Sequence, residues 1–374
     1  MRRLFLFLTA ATLAAALFSG CKCRQAEPEA PAVRNVIYMI GDGMGIAHIS
    51  SMMAEGEYAP VNFERATTTG LVKTYSADDY VTDSAAGGTA LATGCKTHNG
   101  MVGMNPDSTF CHSVLHDAAG QGWATGIVVT SYLTDATPAS FYAHVPSRKM
   151  LDDIAVQLVG SDVDVAIGGG IRYFSPEYRK DGRDVLAELS DNGYTVVTDF
   201  AATEGVTKGR LVALTTETFM DYSQDGRGDY LSQATSRALE ILGNNSGGKG
   251  IFLMVEGSLI DYAAHDNDAP RTISETRDFD RAIGLAFDYA DSHPGTLVVI
   301  TADHETGGLT MPSSQEPAAD GRRGMRHAFS TDGHTGSMVP LFAYGTCADS
   351  FSGVLDNTDV ARIIRELIST PGKE

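Results

Sequence analysis

Short apolar runs alternate with helix-like segments along most of the chain, and this alternation restricts the fold more than any other feature. The runs are rich in β-branched residues and are Asn35–Ile40, Gly126–Val129, Val163–Ile167, Leu211–Leu214, Ile251–Val255, Leu297–Ile300 and Val339–Ala343. The helical patterns between them are Asp83–Thr93, Arg148–Val159, Arg183–Leu189, Leu231–Leu242, Ser274–Ala290 and Thr358–Ile368. Nearly continuous hydrophobicity is typical of strands buried on both faces. The pattern therefore predicts an α/β fold, a three-layer α/β/α sandwich with a mostly parallel central sheet.

The N-terminal segment has a different character. Two arginines, an apolar run and Ser19-Gly20-Cys21 follow one another, which is the pattern of a secretory signal. A cysteine directly after Ser-Gly resembles a bacterial lipoprotein cleavage site. We therefore expect a signal peptide at residues 1–20, a lipidated Cys21, a tether over residues 21–33, and one folded domain over residues 34–374. An ordinary signal or a short membrane anchor is the alternative. Either way the protein is exported, to the periplasm or the cell surface.

The charge of the chain excludes one class of partner. It has 28 Lys and Arg against 47 Asp and Glu, a formal net charge of −19. Affinity for the phosphate backbone depends on clustered Lys and Arg, so we expect no nucleic-acid partner. Five cysteines are present, and export favours disulfides. Cys95 and Cys111 are the plausible short pair, with free buried thiols as the alternative.

Acidic and histidine side chains follow three of the predicted strands. Asp42 comes after the first strand between two glycines, Glu256 ends the fifth, and Asp303-His304 follows the sixth. Ligands in open parallel sheets bind outside the carboxyl ends of the strands. Each residue alone fits a turn or a helix cap equally well. Their convergence on one edge predicts a site for several metal ions.

The segment after Glu256 adds two further ligands. If it is helical, Asp261 and His265 are four residues apart and lie on one face, where they can share an ion. Glu256 then points elsewhere and serves a different ion. A carboxylate with an imidazole suits zinc, whereas carboxylate and hydroxyl oxygens suit magnesium. His334, before the last predicted strand, is a further imidazole, and His327 is the alternative to it.

A serine lies at the start of a helix made of small residues. Ser84 follows Asp83, and a helix N-terminus favours a bound anion. The alternative is that either residue is only an N-cap. No Gly-x-Ser-x-Gly motif is present, so a hydroxyl nucleophile here would need a metal ion to lower its pKa.

These residues together resemble the metal-dependent alkaline phosphatases. The matching motifs are Gly41-Asp42-Gly43-Met44-Gly45, Thr82–Gly94, Asp135-Ala136-Thr137-Pro138, Ala143–Lys149, Val255-Glu256-Gly257, Asp261 with His265, Thr301-Ala302-Asp303-His304 and His334-Thr335-Gly336. They follow the order of the family from about residue 34 to 345.

The resemblance implies two Zn²⁺ ions, one Mg²⁺ ion and hydrolysis of phosphate monoesters through a phosphoserine. It implies that the first zinc is held by Asp261, His265 and His334, the second by Asp42, Asp303, His304 and Ser84, and the magnesium by Asp42, Thr137 and Glu256. Arg148 would bind the phosphate, oriented by Asp83, and Asp135 would order water around the magnesium. Tyr262 stands where relatives often carry Lys or His.

The sequence is also compatible with two other functions. One is a relative with the same two-zinc core that acts on phosphodiesters, phosphonates or sulfate esters; Arg148 and the complete third-ion set favour monoesters. The other is an anchored lipoprotein that binds phosphate or metal without catalysis, and this class is expected to lack a ligand or the nucleophile. The family often forms homodimers, and the short chain leaves both a monomer and a homodimer open.

Overall fold

A computed structural model of the protein describes residues 32–317 and 323–369. The predicted signal peptide, Cys21 and nearly all of the tether lie outside these residues. Within the described part of the chain, no helix combines the length and the apolar character needed to cross a membrane.

Ten strands form one central sheet. In chain order they are β1 (Asn35–Gly41), β2 (Thr68–Lys73), β3 (Ala124–Tyr132), β4 (Val165–Gly169), β5 (Tyr194–Val197), β6 (Arg210–Leu214), β7 (Ile251–Gly257), β8 (Thr296–Thr301), β13 (Val339–Gly345) and β14 (Gly353–Asp356). Four short strands between β8 and β13 pair outside this sheet: β9 (Glu305–Thr306) with β12 (His334–Thr335), and β10 (Ser313–Pro317) with β11 (Arg323–Met325).

The spatial order of the sheet is β14-β2-β13-β8-β1-β7-β3-β4-β6-β5. All of its pairings are parallel except the two made by β13, which runs antiparallel to β2 and β8. The predicted mostly parallel sheet is thus confirmed. Strands β1, β7 and β8 lie at its centre and are buried almost throughout, as their unbroken β-branched sequences require.

Helices cover both faces of the sheet. They are α1 (Ile46–Glu55), α2 (Ser84–Thr93), α3 (Val114–Gly120), α4 (Ala136–Ala139), α5 (Leu151–Val159), α6 (Val185–Asp191), α7 (Tyr230–Asn245), α8 (Leu259–His265), α9 (Ala269–Ser292) and α10 (Asn357–Ser369). The long helix α9 packs with α1, α7 and α8, while α2 packs with α10, α3 and α4. The buried side chains between these layers form one main hydrophobic core.

All seven predicted strands and all six predicted helices are present. The main correction is at Arg148, which was placed in a helix: α5 begins at Leu151, and the Arg148 amide donates to the Gly100 carbonyl 2.7 Å away. The sequence does not predict the edge strands β5 and β14 or the strand β2 beside β14, because their half-exposed sequences lack a continuous apolar run. The segment between β9 and β12 contains the β10–β11 pair.

Candidate active site

The acidic residues predicted from the strand ends meet because their strands are neighbours. Ile40 of β1 lies opposite Glu256 of β7 on one side and Thr301 of β8 on the other. Asp42 and Asp303 therefore leave the sheet beside Glu256. Gly43 follows Asp42 with a positive φ of 70°, and a Cβ there would lie 2.9 Å from the Asp261 carboxylate. Only glycine lets the turn approach Asp261 so closely.

These acids are deeply buried and short of partners. The exposed fractions of Asp42, Glu256 and Asp303 are 3%, 0% and 0%. Asp42 Oδ1 and Glu256 Oε1 are buried without any hydrogen-bond partner. Burial, and then the charge of neighbouring acids, raises the pKa of all three carboxyls, that of Asp303 to about 6. Buried carboxylates require a compensating positive charge, so this cluster fits bound divalent cations.

A second group lies at the outer edge of the site. Asp261, His265 and His334 place one ligand atom each within 4.8 Å of one another. His265 Nδ1 contacts the Asp332 carbonyl and His334 Nδ1 lies 2.9 Å from the Thr82 carbonyl. A carbonyl oxygen only accepts, so in the neutral imidazoles both Nδ1 atoms carry hydrogen.

The two Nε2 lone pairs then face each other. His265 Nε2 and His334 Nε2 are 3.1 Å apart, and both lie near the Asp261 carboxylate, at 3.3 and 3.7 Å. This arrangement needs a shared cation, which fits zinc. The hydrogen bond with Asp261 raises the pKa of His265 to about 9, so a proton takes this place when no metal ion does.

His304 connects this group to the buried acids and to the serine. Its Nε2 lies 3.1 Å from Ser84 Oγ, 3.4 Å from Asp42 Oδ1 and 3.3 Å from Asp303 Oδ2. Its Nδ1 lies 3.1 Å from the Thr306 hydroxyl, which itself donates to Asp261. Burial, and then nearby His334, holds the pKa of His304 well below its usual range. A neutral imidazole that presents Nε2 to these oxygens suits a second metal ion.

Ser84 is the first residue of α2 and is 3% exposed. Asp83 caps the helix by accepting from the Ala86 amide at 3.0 Å. The sequence left open whether these residues serve only as caps. In the structure Asp83 has that role, while the Ser84 hydroxyl faces His304 and is not used in capping.

The contacts around Arg148 include one that the sequence did not indicate. Arg148 Nη1 lies 3.4 Å from Asp83, as expected, but Nη2 lies 3.1 Å from Asp135 Oδ1. The Tyr262 hydroxyl donates to Asp135 Oδ2 at 3.0 Å. Burial lowers the pKa of Arg148, but Asp135 and Asp83 outweigh this effect and raise it above the ordinary value. Asp135 thus positions a permanently charged guanidinium, the group best suited to bind two phosphate oxygens.

His334 and His327 were the two candidates for one ligand position, and their places in the structure distinguish them. His334 joins the site, whereas His327 lies in a separate cavity beside Arg277 and is 4.0 Å from Glu55. Thr137 is buried within the site, where its hydroxyl donates to Asp303 at 3.3 Å.

The comparisons with known proteins point to one family. The family model described as alkaline phosphatase matches residues 33–321. The chain belongs to the alkaline phosphatase family. Alkaline phosphatase 4 of Bacillus subtilis is 34% identical over 96% of this chain and 95% of its own length. Streptomycin-6-phosphate phosphatase of Streptomyces griseus is 33% identical over 88% of this chain and 89% of its own.

The solved structures show the same relationship. A variant of the alkaline phosphatase from the Antarctic bacterium TAB5, with magnesium bound in a site named M3, superposes with a TM-score of 0.85. It is 38% identical over 92% of this chain and 100% of its own. Membership of the family makes this protein a phosphate monoester hydrolase, and the ligand groups described above make it a metal-dependent one.

The cysteine pair is adjacent but not joined. Cys95 and Cys111 are separate thiols whose side chains hydrogen-bond to each other. The contact supports the pairing of these two positions and leaves their oxidation open.

Proposed function

We propose that this phosphatase uses two Zn²⁺ ions and one Mg²⁺ ion, held as the resemblance implies. The first zinc ligands are Asp261, His265 and His334. The second set is Asp42, Asp303 and His304 with Ser84, and the magnesium set is Asp42, Thr137 and Glu256. Two observations carry this proposal: the Nε2 atoms of His265 and His334 face each other 3.1 Å apart, and one carboxylate oxygen each of Asp42 and Glu256 is buried without a hydrogen-bond partner.

The bound ions would supply Lewis acidity and neutralise developing charge. We propose that Ser84 Oγ, having lost its proton, attacks phosphorus in line with the leaving group, forming an O–P bond as the ester O–P bond breaks. The alkoxide released takes up a proton from water and departs as the alcohol. Arg148 binds two of the non-bridging oxygens, held in place by Asp135 and Asp83. Water then attacks the phosphoserine, releasing inorganic phosphate and restoring the serine. Positioning and electrostatic stabilisation supply most of the catalysis in this class of reaction.

The substrate range is proposed to be broad. Among the relatives, one at 33% identity is named for a phosphorylated antibiotic, so the leaving group differs between proteins that share this fold. The other ester classes, phosphodiesters, phosphonates and sulfate esters, remain the alternative activity.

We also propose that residues 34–374 form the catalytic domain of an exported protein. In this proposal residues 1–20 are a signal peptide, and a lipid on Cys21 holds the enzyme at the bacterial membrane, on the periplasmic side or at the cell surface. Metabolic labelling of the expressed protein with a radioactive fatty acid tests this. A Cys21→Ser variant that incorporates as much label as the unaltered protein would contradict the anchor. A homodimer is the proposed assembly, and sedimentation equilibrium distinguishes it from a monomer.

The central test is an assay of the mature chain on a generic aryl phosphate, with glycerol phosphate, a phosphodiester and a sulfate ester beside it. We expect the monoesters to be hydrolysed fastest, and faster at alkaline than at neutral pH. Exhaustive chelation should abolish turnover and zinc with magnesium should restore it. Turnover that survives chelation would refute the metal mechanism.

Replacement of the serine tests the covalent step. Ser84→Ala should keep its zinc, as measured by atomic emission, and lose most of its turnover, since the nucleophile is removed while Asp42, Asp303 and His304 remain as ligands. Burst kinetics at acidic pH with the unaltered enzyme should reveal the phosphoserine. A wild-type rate in Ser84→Ala would exclude Ser84 as the nucleophile.

A further inference from the structure

The catalytic cavity has two walls of different chemistry. It has a volume of about 360 Å³. Its polar lining includes Ser84, Arg148 and the Asp261 group. Three aromatic residues, Phe219, Tyr222 and Tyr262, line the same cavity and are here called the aromatic wall. The phosphate chemistry described above uses the polar lining and, apart from the contact of Tyr262 with Asp135, leaves the aromatic wall without a role.

Tyr262 and Phe219 form the inner part of this wall. Their ring centroids are 5.1 Å apart at an angle of 52°. Tyr262 is held by its hydroxyl, which donates to Asp135, and it packs against one face of Phe219. The Phe219 side of the pair stays accessible, since this residue is 43% exposed. An exposed phenyl ring at the mouth of a highly charged cavity offers an apolar surface beside the phosphate position.

The loop that carries Phe219 is fixed on both sides of it. The Met220 amide donates to the Thr130 carbonyl at 3.1 Å, and Met220 itself is 3% exposed. On the other side the Thr216 carbonyl accepts from the amides of Gly170 and Ile171. The loop also packs directly on Gly169, where a Cβ would lie 2.0 Å from the Thr218 carbonyl oxygen. These contacts therefore fix the loop that carries Phe219.

Tyr222 forms the outer part of the wall and is also restrained. The guanidinium of Arg271 lies 4.6 Å from the centroid of its ring, a cation–π contact that covers part of the ring. Asp266 lies at the rim of the same cavity and is exposed. Its carboxylate disfavours a leaving group that carries its own negative charge.

We propose that the aromatic wall is the leaving-group subsite, and that it selects phosphate monoesters whose leaving group carries an uncharged planar ring. The inference rests on the proposed function, because it needs the phosphate to be bound by Ser84 and Arg148. Phe219 lines the cavity that contains Ser84 and Arg148, so it offers an apolar surface to the leaving group of an ester bound there. Aryl phosphates and nucleoside monophosphates both carry such a ring.

The test compares four substrates or ligands on the metal-replete enzyme: phenyl phosphate, a nucleoside 5′-monophosphate, glycerol phosphate and inorganic phosphate as an inhibitor. For Phe219→Ala we expect KM for phenyl phosphate to rise about tenfold, the size of a lost ring-stacking contact. KM for glycerol phosphate and the inhibition constant of phosphate should change less than twofold. Phe219→Leu, which keeps apolar area, should fall between the two. Tyr178→Ala, another exposed aromatic residue (44% exposed) outside this cavity, is the matched control and should change nothing.

The two aromatic substrates show which ring the wall accepts. A rise in KM for phenyl phosphate alone identifies rings attached directly to the ester oxygen, and a rise for the nucleotide as well extends the subsite to bases beyond a sugar. Gly169→Ala gives an independent test because it displaces the Phe219 loop without altering the cavity residues. We expect the same loss, selective for aromatic substrates, together with a lower melting temperature, since the added methyl group meets the Thr218 carbonyl oxygen 2.0 Å away.

Two results would overturn the proposal. An equal change of KM for phenyl phosphate and glycerol phosphate in Phe219→Ala would assign Phe219 a purely structural role. No change on any substrate would leave the wall without a part in binding. Failure of the proposed function would look different, since the unaltered enzyme would then hydrolyse neither phenyl phosphate nor glycerol phosphate.

Discussion

Two clusters of buried acids in the described part of the chain differ in how their charge is neutralised. On α9, Glu275 and Asp278 share Arg227, whose Nη2 lies 2.6 Å from each carboxylate. Arg281 adds a contact to Asp278 at 2.8 Å. In this cluster two acids contact two arginines, so side chains of the protein itself balance the negative charge.

The catalytic cluster contains four acids, and the arginine beside it, Arg148, contacts Asp135 and Asp83 instead of these four. Asp42, Glu256, Asp261 and Asp303 are all at most 6% exposed, and among the described residues only Arg148 contributes a permanent positive charge to the lining of this site. Two of its carboxylate oxygens have no partner. The comparison shows that burial of acids alone does not indicate a metal site. A metal site is indicated when the buried acids lack cationic side chains to balance them, because isolated buried carboxylates are strongly unfavourable.

The largest expected effect comes from Asp42, which belongs to two of the proposed ligand sets. Asp42→Asn keeps the shape of the side chain but removes its charge, and we expect kcat to fall at least about a thousandfold, since metal ions supply several kcal/mol to such reactions. Steady-state assays with metal analysis measure this. Asp191→Asn, at the exposed end of α6, is the control. Activity within tenfold of wild type would mean that Asp42 holds no catalytic ion.

Substitutions in the cluster on α9 should change the stability of the protein and leave its activity unchanged. Arg227→Met leaves Glu275 and Asp278 without their shared partner, and loss of one member of a buried ion pair costs about 3 kcal/mol. Denaturant unfolding should show this decrease with or without chelator, while kcat stays unchanged. The double variant Arg227→Met/Glu275→Gln should recover part of the loss. If zinc restored the stability of Arg227→Met, the contrast between the two clusters would be wrong.

Sequence reasoning located most of this site because its ligands are tied to local patterns. Asp42 and Asp303 follow recognisable buried strands, and the spacing of Asp261 and His265 fits one helical turn, which α8 provides. The contact between Tyr262 and Asp135 joins residues 127 positions apart, and no local pattern encodes it. Phe219 was missed for the same reason: its loop is placed by backbone contacts to Gly169 and Thr130.

The next prediction concerns His265, at the outer edge of the catalytic cluster. His265 is the most exposed of the proposed ligands in its group, with 39% of its side chain accessible, and Asp261 and His334 remain when it is removed. For His265→Ala we expect at least about a hundredfold weaker zinc binding, a loss at the upper end for groups that support a metal. Zinc titration of activity measures it, and excess zinc should restore much of the turnover. His327→Ala is the matched control, and equal zinc dependence in both variants would remove His265 from the ligand set.

The smallest expected effect is the pH dependence of the stability of the metal-free protein. It tests directly whether the buried acids of the catalytic cluster lack a balancing positive charge. Asp303 has a pKa of about 6 in the folded protein, raised by burial and then by Asp261, against an ordinary value of 3.8. The folded state therefore holds a proton at Asp303 that the unfolded state has released, and this carboxyl contributes a fall of about 2 kcal/mol in the stability of the chelated protein as pH rises from 4 to 7. The contribution is measured as the difference from Asp303→Asn, because His304, whose pKa is lowered on folding, changes the total in the opposite direction. The metal-loaded protein should not show this loss, because bound cations favour the ionised carboxylate. Urea unfolding at each pH gives the measurement. Parallel curves with and without metal would show that the acids of the catalytic cluster are neutralised by the protein itself, as those on α9 are.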